Sequence, residues 1–475
     1  MKVIKNYIYN AGYQLLVILL PLITMPYVTR TLTRVGYGQY SYTYTNIQYF
    51  VLVAGLGTIL YGNREIAYAS KSNDKITISK IFWEIELLNA IAVFTVFAIF
   101  SIMNLTIFKY SNLMWIQSLN IVSILFDISW LFMGLEDFKV TIIKNTIVKL
   151  LSVTLIFLLI KDIDDLLLYV LIMAGSLLLG NLLLWPQLKG IVVKIDFKQL
   201  RPFKHLKPSL SLLLPQIALQ LYMQINKTVV GIIDSPTSSG YYSSADMIVR
   251  AVLAIVTATG TVMLPHVAKA YAEKRIKKVK EMLYKSFDFI SFLAIPISFG
   301  LAAIALKAAP WFLGKQYVTV GQVLMIESIV IVLDGWGNAL GDQFLIPLKR
   351  NKEYTTSIFI GTIVNIINVV PLIIIFNVYG AMISYCIAEF SVFIYQLFVV
   401  KGELSFNKLF LNFPKYLISG LFMFMLVFIL NSYFKMNIFS LLFEILSGIV
   451  IYGVLILITK PTILKEGKIF LKEFK

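Results

Sequence analysis

The stretch LLPQIALQLYMQINKTVVGIID, residues 213–234, is long enough to cross a membrane, yet it carries a polar or small residue at every helical turn. These positions follow one another at steps of three or four residues, so they share one face of a helix: Gln216, Gln220, Gln224, Lys227, Gly231 and Asp234. Such a face cannot lie against lipid along its whole length. It predicts either the lining of a cavity or hydrogen bonds to polar groups of neighbouring helices.

The composition of the whole chain is that of a membrane protein. Of its 475 residues, 59% are hydrophobic and only 14% are charged, against about a quarter charged in an average soluble domain. A soluble globule cannot bury so many apolar side chains, because its surface remains large relative to its volume. The sequence therefore argues against a soluble enzyme, a disordered chain and a disulfide scaffold, and it predicts an all-α membrane protein.

Residues for metal, thiol or enzymatic chemistry are scarce. The chain has one cysteine, Cys386, and two histidines, His205 and His266, too few for a zinc site or an internal disulfide. It has no Walker loop, dinucleotide fingerprint, G-x-S-x-G elbow or H-E-x-x-H motif. We also find no cleavable signal peptide. We therefore expect a transporter rather than an enzyme, with no catalytic residues, no metal and no bound cofactor.

Runs of about 20 mostly apolar residues predict the membrane spans. We identify fourteen of them, at 8–29, 38–61, 81–103, 113–134, 142–160, 166–188, 209–233, 241–264, 286–308, 319–345, 355–376, 380–400, 413–433 and 438–459. The loops between them are too short to hold a soluble domain.

The basic residues predict the orientation of these spans. With the N-terminus inside, 32 lysines and arginines fall on the cytoplasmic side and 7 on the outer side. Cytoplasmic loops of membrane proteins are enriched in these residues. We therefore expect both termini in the cytoplasm, and we attribute the net charge of +17 to this bias rather than to nucleic-acid binding.

The two halves of the chain repeat a pattern. Leu19-Leu20-Pro21 resembles Leu213-Leu214-Pro215, and Gly57-Thr58-Ile59-Leu60 resembles Gly260-Thr261-Val262-Met263. Six spans separate the copies, which predicts two parallel six-helix lobes around a central cavity. The expected domains are an N-lobe at 1–188, a basic cytoplasmic linker at 189–208, a C-lobe at 209–401, and two extra spans with a cytoplasmic tail at 402–475.

Several ionisable residues fall inside predicted spans, where charge is costly and often functional. Asp246 and Arg250 are one helical turn apart, so they could neutralise each other, or Asp246 could line the cavity while Arg250 binds a phosphate. The acidic candidates for coupling to H⁺ or Na⁺ are Asp127, Glu327, Asp334 and Glu389. Structural pairing of these carboxylates with neighbouring helices is an equally open interpretation.

Four short motifs near the N-terminus carry a family resemblance. They are the stretch from Pro21 to Arg30, then Gly36-Tyr37-Gly38-Gln39-Tyr40, Gly55-Leu56-Gly57, and Asn63-Arg64-Glu65-Ile66-Ala67. With the span count, duplication and linker, the chain resembles Wzx-type polysaccharide flippases of the multidrug/oligosaccharidyl-lipid/polysaccharide exporter superfamily. Leu32-Thr33-Arg34 departs from the family pattern, so no role is carried over to Arg34.

This resemblance implies a function. Such proteins move undecaprenyl-diphosphate-linked oligosaccharides from the inner to the outer leaflet of the bacterial cytoplasmic membrane, for capsule, exopolysaccharide or O-antigen synthesis. It also implies a cationic cavity that binds the substrate, with Arg30, Arg64, Lys227 and Arg250 as the matching positions. The expected partners are that lipid-linked oligosaccharide, membrane lipids, and the glycan polymerase and chain-length machinery.

Two other functions stay open at this point. A cation-coupled multidrug exporter of the same superfamily would favour an acidic, aromatic pocket over Lys227 and Arg250. A membrane glycan polymerase or ligase would typically carry a sizeable outer loop for its chemistry, whereas all predicted outer loops here are short.

Overall fold

The computed structural model describes residues 2–72 and 74–464, and this part of the chain is all-helical apart from one isolated bridge between Lys189 and Val192. The tail predicted beyond residue 464 lies outside the described residues. The helices are α1 Lys2–Thr31, α2 Thr33–Ala54, α3 Thr58–Ala69, α4 Lys75–Thr106, α5 Ser111–Gln117, α6 Leu119–Leu125, α7 Ser129–Gly134, α8 Phe138–Leu159, α9 Leu166–Leu182, α10 Leu206–Ile233, α11 Pro236–Ala272, α12 Ile276–Leu313, α13 Val318–Glu327, α14 Val330–Leu340, α15 Asn351–Phe376, α16 Val378–Val400, α17 Phe406–Leu409, α18 Phe413–Tyr433 and α19 Ile438–Thr459.

The described residues contain 10 helical segments long and apolar enough to cross a membrane. They contain an eleventh if Lys315–Glu327 and Val330–Leu345, bent by 41° against each other, form one span. Three more predicted spans coincide with α1, α2 and α10, which are helical but are not among these segments. The protein is therefore a multi-pass membrane protein, and the count of fourteen stays a prediction.

The Gly55-Leu56-Gly57 motif forms the turn between α2 and α3. Leu56 and Gly57 have positive φ angles of 47° and 72°, a region that glycine adopts without steric cost. A side chain on Gly57 would lie 2.8 Å from the carbonyl oxygen of Ser209. The Ser209 hydroxyl in turn donates to the Leu56 carbonyl at 2.7 Å. The motif thus lets the turn pack directly against the start of α10.

The chain forms two compact units, residues 1–228 and 229–475, divided between Thr228 and Val229 inside α10. In the first unit, α3 packs on α7 and α4 packs on α6, around the stacked rings of Phe82 and Trp130. In the second unit, α12 is the central helix and packs against α11, α13, α14, α18 and α19. Stacking of Phe287 on Trp336 fills its core.

The basic segment 189–208 is held against α4, within the first unit, by hydrogen bonds and an ion pair. Glu84 of α4 is fully buried and accepts hydrogen bonds from the Arg201 amide at 2.9 Å and from His205 Nε2 at 3.0 Å, and its carboxylate pairs with Lys204 Nζ at 2.5 Å. The other ring nitrogen of His205 lies 2.7 Å from the Tyr61 hydroxyl. A neutral imidazole satisfies both contacts, because Nε2–H donates to Glu84 while Nδ1 accepts from Tyr61.

His205 is expected to make the stability of this anchor depend on pH. Burial lowers the pKa of its imidazole below the usual value of about 6.5. The unfolded chain therefore binds this proton more readily than the folded one, so stability is full above pH about 6.5 and is lost as the pH falls through the folded-state pKa. Thermal unfolding of the purified protein between pH about 7.5 and 5.5 should show a steeper loss for wild type than for His205→Gln. Equal slopes would contradict the assignment.

Candidate functional site

A cavity of about 180 Å³ in the first unit is lined by three glutamines, Gln48 of α2 and Gln216 and Gln220 of α10. The rest of its wall is apolar or backbone, including Gly55, Gly57 and Ile124. The amide of Gln216 donates to the Leu212 carbonyl at 3.0 Å, which fixes its orientation. Carboxamides both donate and accept hydrogen bonds without carrying charge. Such a wall suits water or the hydroxyl groups of a sugar better than an ion.

The remaining polar residues of the α10 face have different surroundings. Gln224 and Lys227 are half-buried, and Asp234 lies exposed just after the helix ends. Next to Lys227, Thr228 bonds the Tyr49 hydroxyl of α2 at 3.0 Å. Five of the six predicted positions therefore fall on α10, and two of them, Gln216 and Gln220, line the glutamine cavity.

Four of the ionisable residues predicted for the second half of the chain, Asp246, Arg250, Asp334 and Glu389, lie around Tyr385 of α16. Arg250 of α11 donates from Nε to the carboxylate of Asp246 at 2.8 Å, and a second guanidinium nitrogen lies 3.5 Å from the Tyr385 hydroxyl. Asp334 of α14 and Glu389 of α16 act electrostatically on the same tyrosine. Residues that the sequence assigned to separate roles thus form one group, which we call the Arg250 cluster: Asp246, Arg250, Asp334, Tyr385 and Glu389.

The Arg250 cluster is accessible through its arginine. The Arg250 side chain is 36% exposed, whereas that of Asp246 is 4% exposed. The ion pair between Asp246 and Arg250, which was one interpretation of the sequence, is therefore formed. It occupies only part of the guanidinium group. Arginine presents five donors in a planar fork, so a group already bonded to one carboxylate can still hold a phosphate oxygen.

A second polar network adjoins the cluster on α14. Asn338 donates to Asp342 at 2.5 Å, and Gln343 donates to Asn338 at 3.0 Å. Gln343 also accepts from Ser286 of α12. The backbone from Gly341 to Leu345 is a single wide turn rather than regular α-helix, a feature often found at functional sites.

Other predicted site residues lie on α1, α3 and α13 and between α6 and α7. Arg30 is exposed near the end of α1. Arg64 of α3 pairs with its neighbour Glu65 at 3.2 Å and lies 5.3 Å from the centre of the Tyr61 ring, with 45% of its side chain exposed. Glu327 is fully buried in α13, and Asp127 lies between α6 and α7.

The sequence analysis missed Gln48 and Tyr385. Tyr385 precedes Glu389 by one helical turn, so both point to one side of α16. That spacing could have indicated that Tyr385 belongs to the site. A tyrosine in an apolar helix is equally typical of a membrane interface, however.

Comparisons with known proteins agree on one family and one fold. A family model described as polysaccharide biosynthesis protein matches residues 3–271. A protein of Escherichia coli (strain K12) named "Putative O-antigen transporter" is 24% identical over 407 residues, which is 84% of this chain and 97% of that protein. A protein of the same name from Shigella dysenteriae is 24% identical over 388 residues, covering 81% and 96%.

Two solved structures share the fold. The lipid II flippase MurJ in an inward closed conformation superposes with a TM-score of 0.72 at 18% identity, covering 98% of this chain and all of that one. An inward-facing multidrug resistance MATE family transporter of the MOP superfamily gives a TM-score of 0.59 at 14% identity, covering 80% and 98%. At these identities the likeness concerns the fold alone.

Proposed function

This chain belongs to the polysaccharide biosynthesis protein family, and from that premise we propose that it is a flippase for undecaprenyl-diphosphate-linked oligosaccharide repeat units. The observation that carries the proposal is the Arg250 cluster, because a partly exposed arginine side chain on a membrane-spanning helix suits a diphosphate group. The product would feed capsule, exopolysaccharide or O-antigen synthesis. The protein would act as a transporter, without a catalytic residue.

The physical problem for such a flippase is the headgroup. A diphosphate sugar cannot cross hydrocarbon unaided, because burying its charge without a partner costs many kcal/mol. Arg250, with Arg30, Arg64 and Lys227 as further cations, would replace the water around the diphosphate. The glutamine wall formed by Gln48, Gln216 and Gln220 would replace water around sugar hydroxyls, while the polyprenyl tail stays in lipid.

Transport also requires the binding groups to be reached from each side of the membrane in turn. We propose that fourteen spans form two parallel six-helix lobes and two extra helices, with both termini in the cytoplasm and access that alternates between the two sides. An ion gradient of H⁺ or Na⁺ would supply the direction. The glycan polymerase and chain-length machinery would take up the product outside.

The carboxylates of the Arg250 cluster favour a second candidate function. Asp246, Asp334 and Glu389 surround an aromatic ring, a combination that would also bind an organic cation. In that case the protein would be a cation-coupled multidrug exporter of the same superfamily.

A deletion strain separates these functions. We expect it to accumulate lipid-linked repeat units in the cytoplasmic leaflet, because the headgroup no longer crosses, and to recover surface polymer when wild type is restored. The measurement is leaflet-resolved detection of the lipid-linked intermediate. Repeat units that collect unpolymerised in the outer leaflet would contradict the flippase. Normal polymer combined with drug sensitivity would favour the exporter.

A further inference from the structure

The fourth predicted span is interrupted inside the first unit. Helix α6 ends at Leu125 and α7 begins at Ser129, and Asp127 lies in the gap. One carboxylate oxygen of Asp127 accepts from the Ser129 amide at 3.0 Å. Transporters commonly place cation sites at such discontinuous helices, where backbone and side-chain oxygens converge.

Glu86 of α4 lies within electrostatic range of Asp127 in this interruption, and its carboxyl group is buried without hydrogen-bond partners in the described part of the chain. It is 4% exposed, and neither of its oxygens has a hydrogen-bond partner among the described residues. Asp127 is the charged group that acts on it. Two neighbouring carboxylates repel each other, and either a proton or a cation bound between them removes the repulsion.

Asn89 brings a third oxygen ligand to the same place. It lies three residues after Glu86, on the same side of α4. Its amide nitrogen donates to the carbonyl of Ile124 at 3.0 Å, which holds the side chain beside the interruption. Its Oδ1 is buried and has no hydrogen-bond partner in the described part of the chain.

The ionised side chains of Glu86, Asp127 and the neighbouring Lys144 carry a net negative charge. Lys144 of α8 acts electrostatically on Asp127, and its ammonium donates to Asn181 at 3.0 Å. Two carboxylates and one ammonium leave a net charge of −1, which one monovalent cation balances. Within residues 2–72 and 74–464 no three acidic, histidine or cysteine side chains gather as a metal site would group them.

We propose that Glu86, Asn89 and Asp127 form a Na⁺ site. The ligands would be the two Glu86 oxygens, Asn89 Oδ1 and the Asp127 oxygen that does not accept from Ser129, an all-oxygen set of the kind that hard cations prefer. The site explains why three buried oxygens of α4 have no hydrogen-bond donor. That this Na⁺ is the coupling ion rests on the proposed function, whereas the site itself does not.

Equilibrium binding of radiolabelled Na⁺ tests the site on the purified full-length chain, at constant pH and with choline chloride holding the ionic strength. We expect saturable binding by wild type, and its loss in Glu86→Gln and Asp127→Asn. Asn89→Ala, which keeps both carboxylates, should bind about tenfold more weakly. The matched control is Glu444→Gln in the second unit, because Glu444 is equally buried and accepts from Asn431. It should bind Na⁺ as wild type does.

Wild type without saturable Na⁺ binding would overturn the site, and so would Glu86→Gln binding Na⁺ with unchanged affinity. Size-exclusion elution at the wild-type volume shows that a variant is folded, and Asn89→Ala keeps the test decisive if Glu86→Gln does not fold. No glycolipid is present in this assay, so its outcome is independent of flippase activity. A strain that flips normally while its protein binds no Na⁺ would reject the site and leave the proposed function standing.

Discussion

Replacing Arg250 by alanine is expected to abolish surface polysaccharide. If the guanidinium holds the diphosphate, losing that charge-assisted contact costs about 2–5 kcal/mol, which lowers the flipping rate by a factor of about 30 or more. The measurement is surface polymer in a deletion strain that carries the variant, alongside the amount of variant protein in the membrane. Full polymer at normal protein level would reject the substrate role of Arg250.

This substitution has a structural side effect that needs its own control. Asp246 is 3% exposed and would lose its guanidinium partner, and breaking one side of a buried ion pair commonly costs about 3–5 kcal/mol of stability. The double variant Asp246→Asn with Arg250→Gln removes both charges together. We expect it to restore the protein to the membrane without restoring polymer. If the double variant makes normal polymer, the pair is purely structural.

Replacing Glu84 by alanine is expected to release the 189–208 segment from the first unit. The variant would leave the Arg201 amide, the His205 ring and the Lys204 ammonium without their shared acceptor. Each buried donor left unsatisfied costs about 1–3 kcal/mol. Limited trypsin digestion of the purified protein measures the release, because the segment carries six lysines and arginines, namely Lys189, Lys194, Lys198, Arg201, Lys204 and Lys207. We expect rapid cleavage there and a lower unfolding temperature.

The matched control for this prediction is Glu65→Ala on α3. Glu65 forms an ion pair with the exposed side chain of its neighbour Arg64, and it acts on His205 electrostatically rather than as a hydrogen-bond acceptor. A surface pair of this kind contributes about 0–1 kcal/mol. Its digestion pattern should match that of wild type. A Glu84→Ala protein whose segment resists trypsin as wild type does would show that the anchor does not depend on this carboxylate.

Much of the fold could be predicted from the sequence, because lipid imposes a length and a composition on every span. The predicted spans at 81–103 and 438–459 fall within α4 and α19. The interruption at Asp127 could not be predicted in the same way. It lies in an apolar run without proline or glycine, ILFDISW at 124–130. The local mark is Asp127 itself, whose carboxylate accepts from the Ser129 amide. The packing of α4 against α6 accompanies the break.

The candidate sites show the same limit. Helical spacing predicted the face of α10, but it could not predict that Gln48 of α2 would complete the wall with Gln216 and Gln220, because that contact joins distant parts of the chain. Glu86 could have been found. It stands inside a predicted span, where an acidic residue is energetically costly, but it was not among the predicted acidic candidates. Tyr385 depends on α16 packing near α11 and α14.

The division of the chain inside α10 has a mechanical consequence. The backbone from Ser209 to Thr228 belongs to the first unit, and the helix runs on through Val229 without a loop. An unbroken helix is stiff, since bending it stretches its internal hydrogen bonds, and it yields most readily beside glycine or proline. Gly231 lies three residues beyond Thr228. Within α10, bending is therefore expected to be easiest near Gly231, just beyond the residue at which the two units divide.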